Sequence, residues 1–399
     1  MGRLEGCADH VTGVEVDSRR VSPGDLFVAL GAGAAFLDDA RARGAAATLV
    51  PDDDFAALAA LARAVRARSA ARVVAITGSV GKTSTKDILS ALLRGHVRLV
   101  AAEDGFNNEI GLPLTLCRLE PDTEVAVTEM GMRGPGQIRA LAEIARPDVA
   151  LITAIAPVHL ELLGSIENVV RAKAELLEAL TPGGVAVLPA DAPELEAFVP
   201  ASVEVRRFSP PEVDVRDGRA YVSFEGREFG FSFTARHQAR NAVAALTVCA
   251  ALGVPLPDGL VDVSFSRWRS QESERAGGGL LINDAWNANP VAMRAAIAHL
   301  LDRSGGRRTV AILGEMAELG DEAARFHEEI GRAAEKVDVV IGVGPLARAY
   351  EPDAWAPDSA AATALALELV RPGDAVLVKG SRSVGLEVVA DALAGAAAS

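Results

Sequence analysis

Along most of the chain, short apolar runs alternate with stretches of about 10–15 residues in which apolar positions recur at helical spacing. That alternation predicts parallel strands separated by helices, an α/β fold. Residues 1–69 read as a small N-terminal αβ unit: strands over 11–16, 26–30 and 48–50, a turn over 21–25, and helices over 36–43 and 55–68. In residues 70–265 a β-branched strand runs into a glycine-rich turn and a helix reaching Leu93. Strands at 124–128, 149–155 and 184–188 and a helix over 166–180 follow. Residues 213–233 alternate as hairpins with turns at Asp217-Gly218 and Glu225-Gly226, and a helix over 238–252 closes the unit. From 266 to 399 the pattern restarts, with strands at 280–282, 309–313, 339–342 and 375–379 and helices at 291–301, 322–337 and 360–370. The expected architecture is three domains: the small αβ unit, a central phosphate-loop domain with a mostly parallel sheet, and a C-terminal Rossmann-like domain. The last lacks a glycine-rich dinucleotide turn after its first strand; Asp284, Trp286, Asn287 and Asn289 occupy that turn, before Pro290 at a helix start.

The chain is organised around Arg72-Val-Val-Ala-Ile-Thr-Gly-Ser-Val-Gly-Lys-Thr-Ser-Thr-Lys86. Gly78 and Gly81 permit a tight turn whose backbone N–H groups, with the following helix N-terminus, attract a polyphosphate. Lys82 would reach the β- and γ-phosphates and Thr83 would offer its hydroxyl to Mg²⁺. Ile76 stands where the general phosphate-loop pattern has glycine, so that pattern is only partly met. Glu129, at the end of an apolar strand, suits a metal-holding position at the same sheet edge; alone it reads equally as a helix cap or a partner for Arg133. His159 arrives at this edge from the next strand, and Lys173 lies on the helix after it. Without further context Lys173 is a solvated helix lysine and His159 a loop or core histidine. Asp17-Ser18-Arg19 lies in a loop that is either available for binding or simply solvated.

Composition narrows the class. Half of the 399 residues are hydrophobic, enough for sizeable cores, and the net charge of −14 disfavours a broad nucleic-acid or anionic-membrane surface. Cys7, Cys117 and Cys249 are scattered, supporting neither a disulfide framework nor a zinc site. No stretch approaches the roughly 20 apolar residues that span a bilayer, and the N-terminus lacks a basic-then-apolar signal pattern. A cytoplasmic protein without membrane insertion is expected.

Taken together the segments resemble the Mur ligases, the ATP-dependent amide-forming enzymes of peptidoglycan precursor synthesis, and within them the branch that adds D-alanyl-D-alanine. The resemblance covers nearly the whole chain. It rests on the loop Ile76-Thr-Gly-Ser-Val-Gly-Lys-Thr-Ser84, on Asn107-Asn-Glu-Ile-Gly-Leu-Pro113, on Glu129-Met-Gly131, and on His159 with Gly164-Ser165. Ala172-Lys-Ala-Glu175 and Arg236-His-Gln-Ala-Arg-Asn241 extend it. Asn283-Asp-Ala-Trp-Asn-Ala-Asn289, Leu313-Gly-Glu-Met-Ala-Glu-Leu-Gly320 and Val378-Lys-Gly-Ser-Arg-Ser383 match that branch in particular.

The resemblance implies that the carboxylate of a UDP-N-acetylmuramoyl-tripeptide attacks the ATP γ-phosphate, giving an acyl phosphate that the amine of D-alanyl-D-alanine displaces. It implies ATP held by Thr77, Gly78, Ser79, Val80, Gly81, Lys82, Thr83 and Ser84, with His237, Asn241, Arg269, Asp284 and Asn287. It also implies two Mg²⁺ ions, with Thr83 and Glu129 serving one and His159 and a carbamylated Lys173 the other. Substrate contacts are expected from Asp17, Ser18, Arg19, Asn107, Asn108, Lys379, Ser381 and Arg382, in a monomer with domains at 1–69, 70–265 and 266–399. The sequence departs from the family where residues 30–38 form a short loop without the usual Asp-Gly-His. Ala235 stands where glycine commonly precedes Arg-His, and Trp286 replaces the usual tyrosine. Two alternatives stay open: a related ligase acting on another peptide carboxylate, and a non-catalytic ATP-binding scaffold.

Overall fold

The structure is a computed structural model that describes residues 2–6, 10–275 and 278–395. Cys7 lies outside the described residues; Cys117 and Cys249 are free thiols.

In the N-terminal domain the strands lie in the order Arg3–Gly6, Ala47–Val50, Leu26–Val28, Val14–Glu15, with the first pair antiparallel and the others parallel. The strand expected over 11–16 is thus only Val14–Glu15. The helix expected over 36–43 begins as a 3-10 turn at Gly31–Phe36 before the α-helix Leu37–Ala42. Asp53 caps the helix Asp54–Arg68 by accepting the Ala56 N–H at 2.9 Å, which satisfies one of the donors a helix start leaves open.

The central domain is built on six parallel strands in the order Glu204–Phe208, Val185–Pro189, Val149–Ile152, Arg72–Thr77, Val125–Glu129, Leu99–Ala101. Their near-continuous apolar character follows from burial on both faces. Helices Lys82–Leu93 and Arg236–Leu252 pack on one face, and Gln137–Ala145 with Ile166–Glu178 on the other. The strand at 149 stops at Ile152, three residues before the expected end; the Thr153 N–H still reaches Thr77 O, and its hydroxyl donates to Val80 O beneath the phosphate loop. A second sheet, Val213–Arg216, Arg219–Phe224, Arg227–Phe231 and Leu260–Val261, contains both expected hairpins. The left-handed Asp217 and Glu225 precede the turn glycines, as such hairpin turns require.

In the C-terminal domain the strand order is Gln271–Arg275, Gly279–Asp284, Ala375–Lys379, Thr309–Gly314, Val339–Val343, Ala354–Ala356, parallel except for the first pair. Helices cover both faces. The helix expected over 322–337 is the α-helix Ala323–Ala333, entered through a 3-10 turn at Gly320–Glu322.

The phosphate-loop strand sits inside the central sheet, and its two neighbours precede and follow one another in sequence on opposite sides of it. The C-terminal ends of strands at such a switch point form a crevice that sheet geometry leaves open. Lys379 and Asp284 end adjacent strands of the C-terminal sheet.

Candidate active site

These two sheet edges enclose a cavity of about 590 Å³, lined from the central domain by the phosphate loop, Glu129 and the start of helix Arg236–Leu252, and from the C-terminal domain by Arg269, Asp284, Asn287 and Lys379.

Gly78 and Gly81 have φ of 147° and 83°, and a Cβ added at either would stand 2.0 Å from Thr153 Oγ1 or 2.4 Å from Asn241 Oδ1. Only glycine lets the backbone pass so close to its supports. Gly81 is the residue before helix Lys82–Leu93, and no side chain caps that helix. The first N–H groups of a helix lack partners within it, so this end offers its donors and the positive end of its dipole to an anion in the cavity. Ser79 accepts the Ala156 N–H at 2.9 Å and donates to Ala156 O at 3.0 Å, stitching the loop to the segment that follows the neighbouring strand. Thr77 lies beneath the loop, its hydroxyl donating to Met130 O at 2.8 Å.

Lys82 donates to Gly78 O at 2.8 Å, which folds its side chain back over the loop. Burial pulls its ammonium below the usual lysine range, Glu129 opposes that shift, and Arg269 adds to it. Thr83 Oγ1 donates to Glu129 Oε2 at 2.8 Å, and Asn107 Nδ2 to Glu129 Oε1 at 2.9 Å. Glu129 is therefore not paired with Arg133, whose guanidinium lies 3.7 Å from Glu318 instead. A carboxylate, a hydroxyl and an amide oxygen on one wall are hard oxygen donors, the set Mg²⁺ takes when it keeps several waters and phosphate oxygens. Among the described residues there is no ready-made cluster of three or more His, Cys, Asp or Glu for a metal.

Beyond Lys82, outside the cavity lining, lies a second group. His159 Nδ1 is hydrogen-bonded to Glu318 of the C-terminal domain, and both residues adopt left-handed backbone, with φ of 53° and 62°. Burial holds the His159 imidazole below its ordinary pKa against the pull of Glu318. Lys173 is 2% exposed on helix Ile166–Glu178 and has no hydrogen-bond or ion-pair partner among the described residues, so it is not a solvated helix lysine. Burial, and behind it the Lys82 charge, depresses its amine well below the usual range.

On the cavity's far wall, Asn241 Nδ2 donates to Gln238 Oε1 at 2.7 Å and Gln238 Nε2 to Ser84 Oγ at 3.3 Å, tying helix Arg236–Leu252 to the phosphate-loop helix. Ala235 has φ of −67°, so no glycine is needed there. His237 meets Ser270 Oγ at 3.3 Å and is drawn down to about 4 by burial, with Asp284 pulling the other way. Lys379, 2% exposed, donates to Asp284 Oδ2 at 2.6 Å and to Asn287 O at 2.8 Å, fixing the 284–287 turn. Trp286 stands with its ring 5.2 Å from the Arg269 guanidinium carbon.

The other expected contacts lie away from this cavity lining. Asp17 forms an ion pair with Arg19 at 2.6 Å in a 3-10 turn over a buried Ser18; the side-chain hydrogen bond from Arg19 holds the Asp17 carboxyl at about 2. Asn108 accepts the Gly111 N–H at 2.9 Å and serves as a turn for helix Gly111–Leu116. Ser381 accepts the Ala317 N–H at 2.9 Å, and Arg382 lies 4.6 Å over the Trp268 ring. Gln238, Ser270, Thr153 and Glu318 were missed by sequence reasoning. Gln238 had a signal in its spacing of one helical turn from Asn241, and Glu318 in lying within the segment Leu313–Gly320.

A nucleotide-sized cavity floored by a phosphate loop and closed by a second α/β domain defines an ATP-dependent ligase architecture, and the family models agree. Residues 76–249 match the Mur ligase middle domain and 268–382 the Mur ligase, glutamate ligase domain. The chain belongs to the Mur ligase family. Among relatives, UDP-N-acetylmuramoyl-tripeptide--D-alanyl-D-alanine ligase of Mycobacterium leprae is 35% identical over 98% of this chain and 94% of its own. The enzyme of that name from Escherichia coli is 34% identical over 98% and 96%. The crystal structure of MurF ligase from Thermotoga maritima in complex with ADP superposes with a TM-score of 0.85 at 29% identity, covering 98% of this chain and 99% of that one.

Proposed function

We propose that this chain joins D-alanyl-D-alanine to a UDP-N-acetylmuramoyl-tripeptide with ATP, forming a carbon–nitrogen bond through an acyl phosphate and releasing ADP and phosphate. The reading is carried by the phosphate loop whose uncapped helix start, Lys82, Thr83 and Glu129 line a cavity shared with Arg269, Asp284 and Lys379. Relatives of that name aligned over nearly the full chain support the substrate choice.

In this reading residues 1–69 take the UDP end, 70–265 hold ATP, and 266–399 bring Arg269 and the amine substrate. The substrate carboxylate and the γ-phosphate are both anionic, so their approach needs preorganised positive charge. Lys82 and the helix N-terminus supply it at the β- and γ-phosphates, and Arg269 adds charge from the other domain. Asp284 and Asn287 suit ribose hydroxyls, while His237 and Asn241 flank the base end. Thr83 and Glu129 would hold one Mg²⁺ ion; His159 and Lys173, the latter carbamylated, would hold a second. Bound there, Mg²⁺ supplies Lewis-acid stabilisation of charge developing on the transferring phosphoryl group. The carbamate fits the site's chemistry: a buried amine biased toward its neutral form can add to CO₂ and release a proton to solvent, and the product is an anionic oxygen ligand. Among the described residues no helix is long and apolar enough to cross a membrane.

The test is phosphate release with ATP, UDP-muramoyl tripeptide and D-alanyl-D-alanine, with the product identified by mass. Turnover that needs all three is expected; equal turnover without the dipeptide would overturn the assignment.

A further inference from the structure

The segment from Ser266 to Glu272 leads from the central domain into the C-terminal sheet and carries Arg269 into the nucleotide cavity. Its start is fastened to the phosphate-loop helix, one turn beyond Lys82 and Thr83. Asp87 accepts the Ser266 backbone N–H at 2.8 Å and the Ser266 hydroxyl at 3.2 Å. Lys86 pairs with Asp87 Oδ1 at 2.8 Å and donates to Ala102 O at 3.1 Å and Ser266 Oγ at 3.4 Å. The two side chains are 6% and 8% exposed, and neither residue lines the cavity.

The rest of the segment is held as firmly. Glu272 receives Thr234 of the central domain and, from its own domain, His299 at 2.9 Å and Arg303 at 2.9 Å. Ser270 donates its backbone N–H to Asp284 Oδ1 at 3.0 Å. Between these ties Trp268 and Ser270 both take left-handed backbone, with φ of 58° and 49°, one on each side of Arg269. Two non-glycine residues in that region within three positions persist only where the surroundings over-determine them. Arg269 Nε is buried and has no hydrogen-bond partner.

We infer that the Lys86–Asp87 pair is a positioning device: it anchors the interdomain segment to the phosphate-loop helix and so holds Arg269 ready for the nucleotide phosphates. The inference rests on the proposed phosphate role of Arg269. A buried ion pair stabilises a fold little better than apolar residues of the same volume, and the best-attested reason to keep one is to fix a register. Here the register is that of Ser266 against the helix whose first turn carries Lys82 and Thr83. Asp104, whose carboxyl burial pushes up and Arg269 pulls down, faces the same cluster from the loop before Asn107.

The experiment is steady-state kinetics of the full chain with ATP varied and both other substrates saturating. Lys86→Gln with Asp87→Asn removes both charges of the pair together, so neither partner is left as an unpaired buried charge. This variant is expected to lose at least about tenfold in kcat/KM for ATP, while in an Arg269→Ala background the same pair of substitutions costs less than about twofold. Ser266→Ala withdraws one tie to Asp87 and leaves the ion pair in place; it should lose about threefold in the same parameter and nothing further in the Arg269→Ala background. It decides the matter if the double variant does not fold. Wild-type kcat/KM in Ser266→Ala, or losses that multiply with that of Arg269→Ala, would overturn the anchor. An Arg269→Ala enzyme with unchanged kcat/KM for ATP would instead overturn the phosphate role of Arg269 beneath it.

Discussion

The two sides of Lys82 are built in opposite ways. Toward the nucleotide cavity, Lys82, Thr83 and Glu129 already have partners: Gly78 O, one another, and Asn107. Away from it, Lys173 is buried with no partner among the described residues, and His159 is engaged by Glu318 of the other domain. The first side comes from a strand–turn–helix whose local geometry dictates its contacts. The second is assembled from three segments and two domains, and leaves a desolvated amine that an added group would complete. A site finished by its own hydrogen bonds is ready for ligand at any time; one that leaves an unpartnered buried lysine depends on what joins it.

The largest effect should come from the completed side. Lys82→Ala removes the preorganised charge at the phosphates and is expected to cost at least about 3 kcal/mol of transition-state stabilisation, seen as a drop of more than about 100-fold in kcat/KM. A variant within threefold of wild type would remove Lys82 from the mechanism. On the unfinished side Lys173→Ala should lower turnover by about 100-fold if a carbamate there ligates metal. Lys173→Arg should fare no better, since guanidinium keeps the charge and cannot become an anionic oxygen ligand. A small carboxylate added to Lys173→Ala should restore part of the rate, and intact mass of wild type kept in bicarbonate should show a gain of about 44 Da. Fully active, metal-loaded enzyme with an unmodified Lys173 would break the comparison and leave the ligase assignment standing.

The contrast also marks what was legible in the sequence. The phosphate loop, Glu129 at a strand end and the Asp217-Gly218 and Glu225-Gly226 hairpins could be read because the determinants are local: glycines at positive φ and apolar strands buried on both faces. Three polar edge strands could not. Arg3–Gly6, Glu204–Phe208 and Gln271–Arg275 are largely polar, and only the hydrogen bonds of a neighbouring strand make them strands. Helix Gln137–Ala145 was missed although it is amphipathic. Part of its start is set at a distance, by Glu175 accepting the Gly136 and Arg139 N–H groups at 2.6 and 3.0 Å. Asn107 and Asn108 are neighbours of identical type, yet one holds Glu129 and the other a helix start, a difference that depends on backbone direction and carries no sequence signal. The burial of Lys173 is likewise a tertiary fact; its helix spacing alone allowed a solvated face.

The smallest expected effect lies on the unfinished side, where the two domains meet at Glu318. Its carboxylate takes His159 Nδ1, its backbone carbonyl accepts the Glu161 N–H at 3.4 Å, and Arg133 stands 3.7 Å away, so one left-handed residue of the C-terminal domain touches three residues of the central domain. With Nδ1 engaged, Nε2 is the nitrogen left for a metal, and a carboxylate behind a ligating histidine fixes the ring and its tautomer. Glu318→Gln keeps the shape and loses the charge, so the ring stays near its place with a weaker orienting bond. The Mg²⁺ concentration for half-maximal rate should rise by about tenfold, equivalent to about 1.4 kcal/mol, with kcat at saturating Mg²⁺ nearly unchanged. The interdomain contact should weaken as well, read as a larger radius of gyration by small-angle scattering of the nucleotide-free protein. If the Mg²⁺ requirement is unchanged while the domains open, Glu318 is a latch alone and His159 owes it no orientation. If neither moves, the interdomain contact at Glu318 has no functional weight, and Lys173 must be completed from the central domain alone.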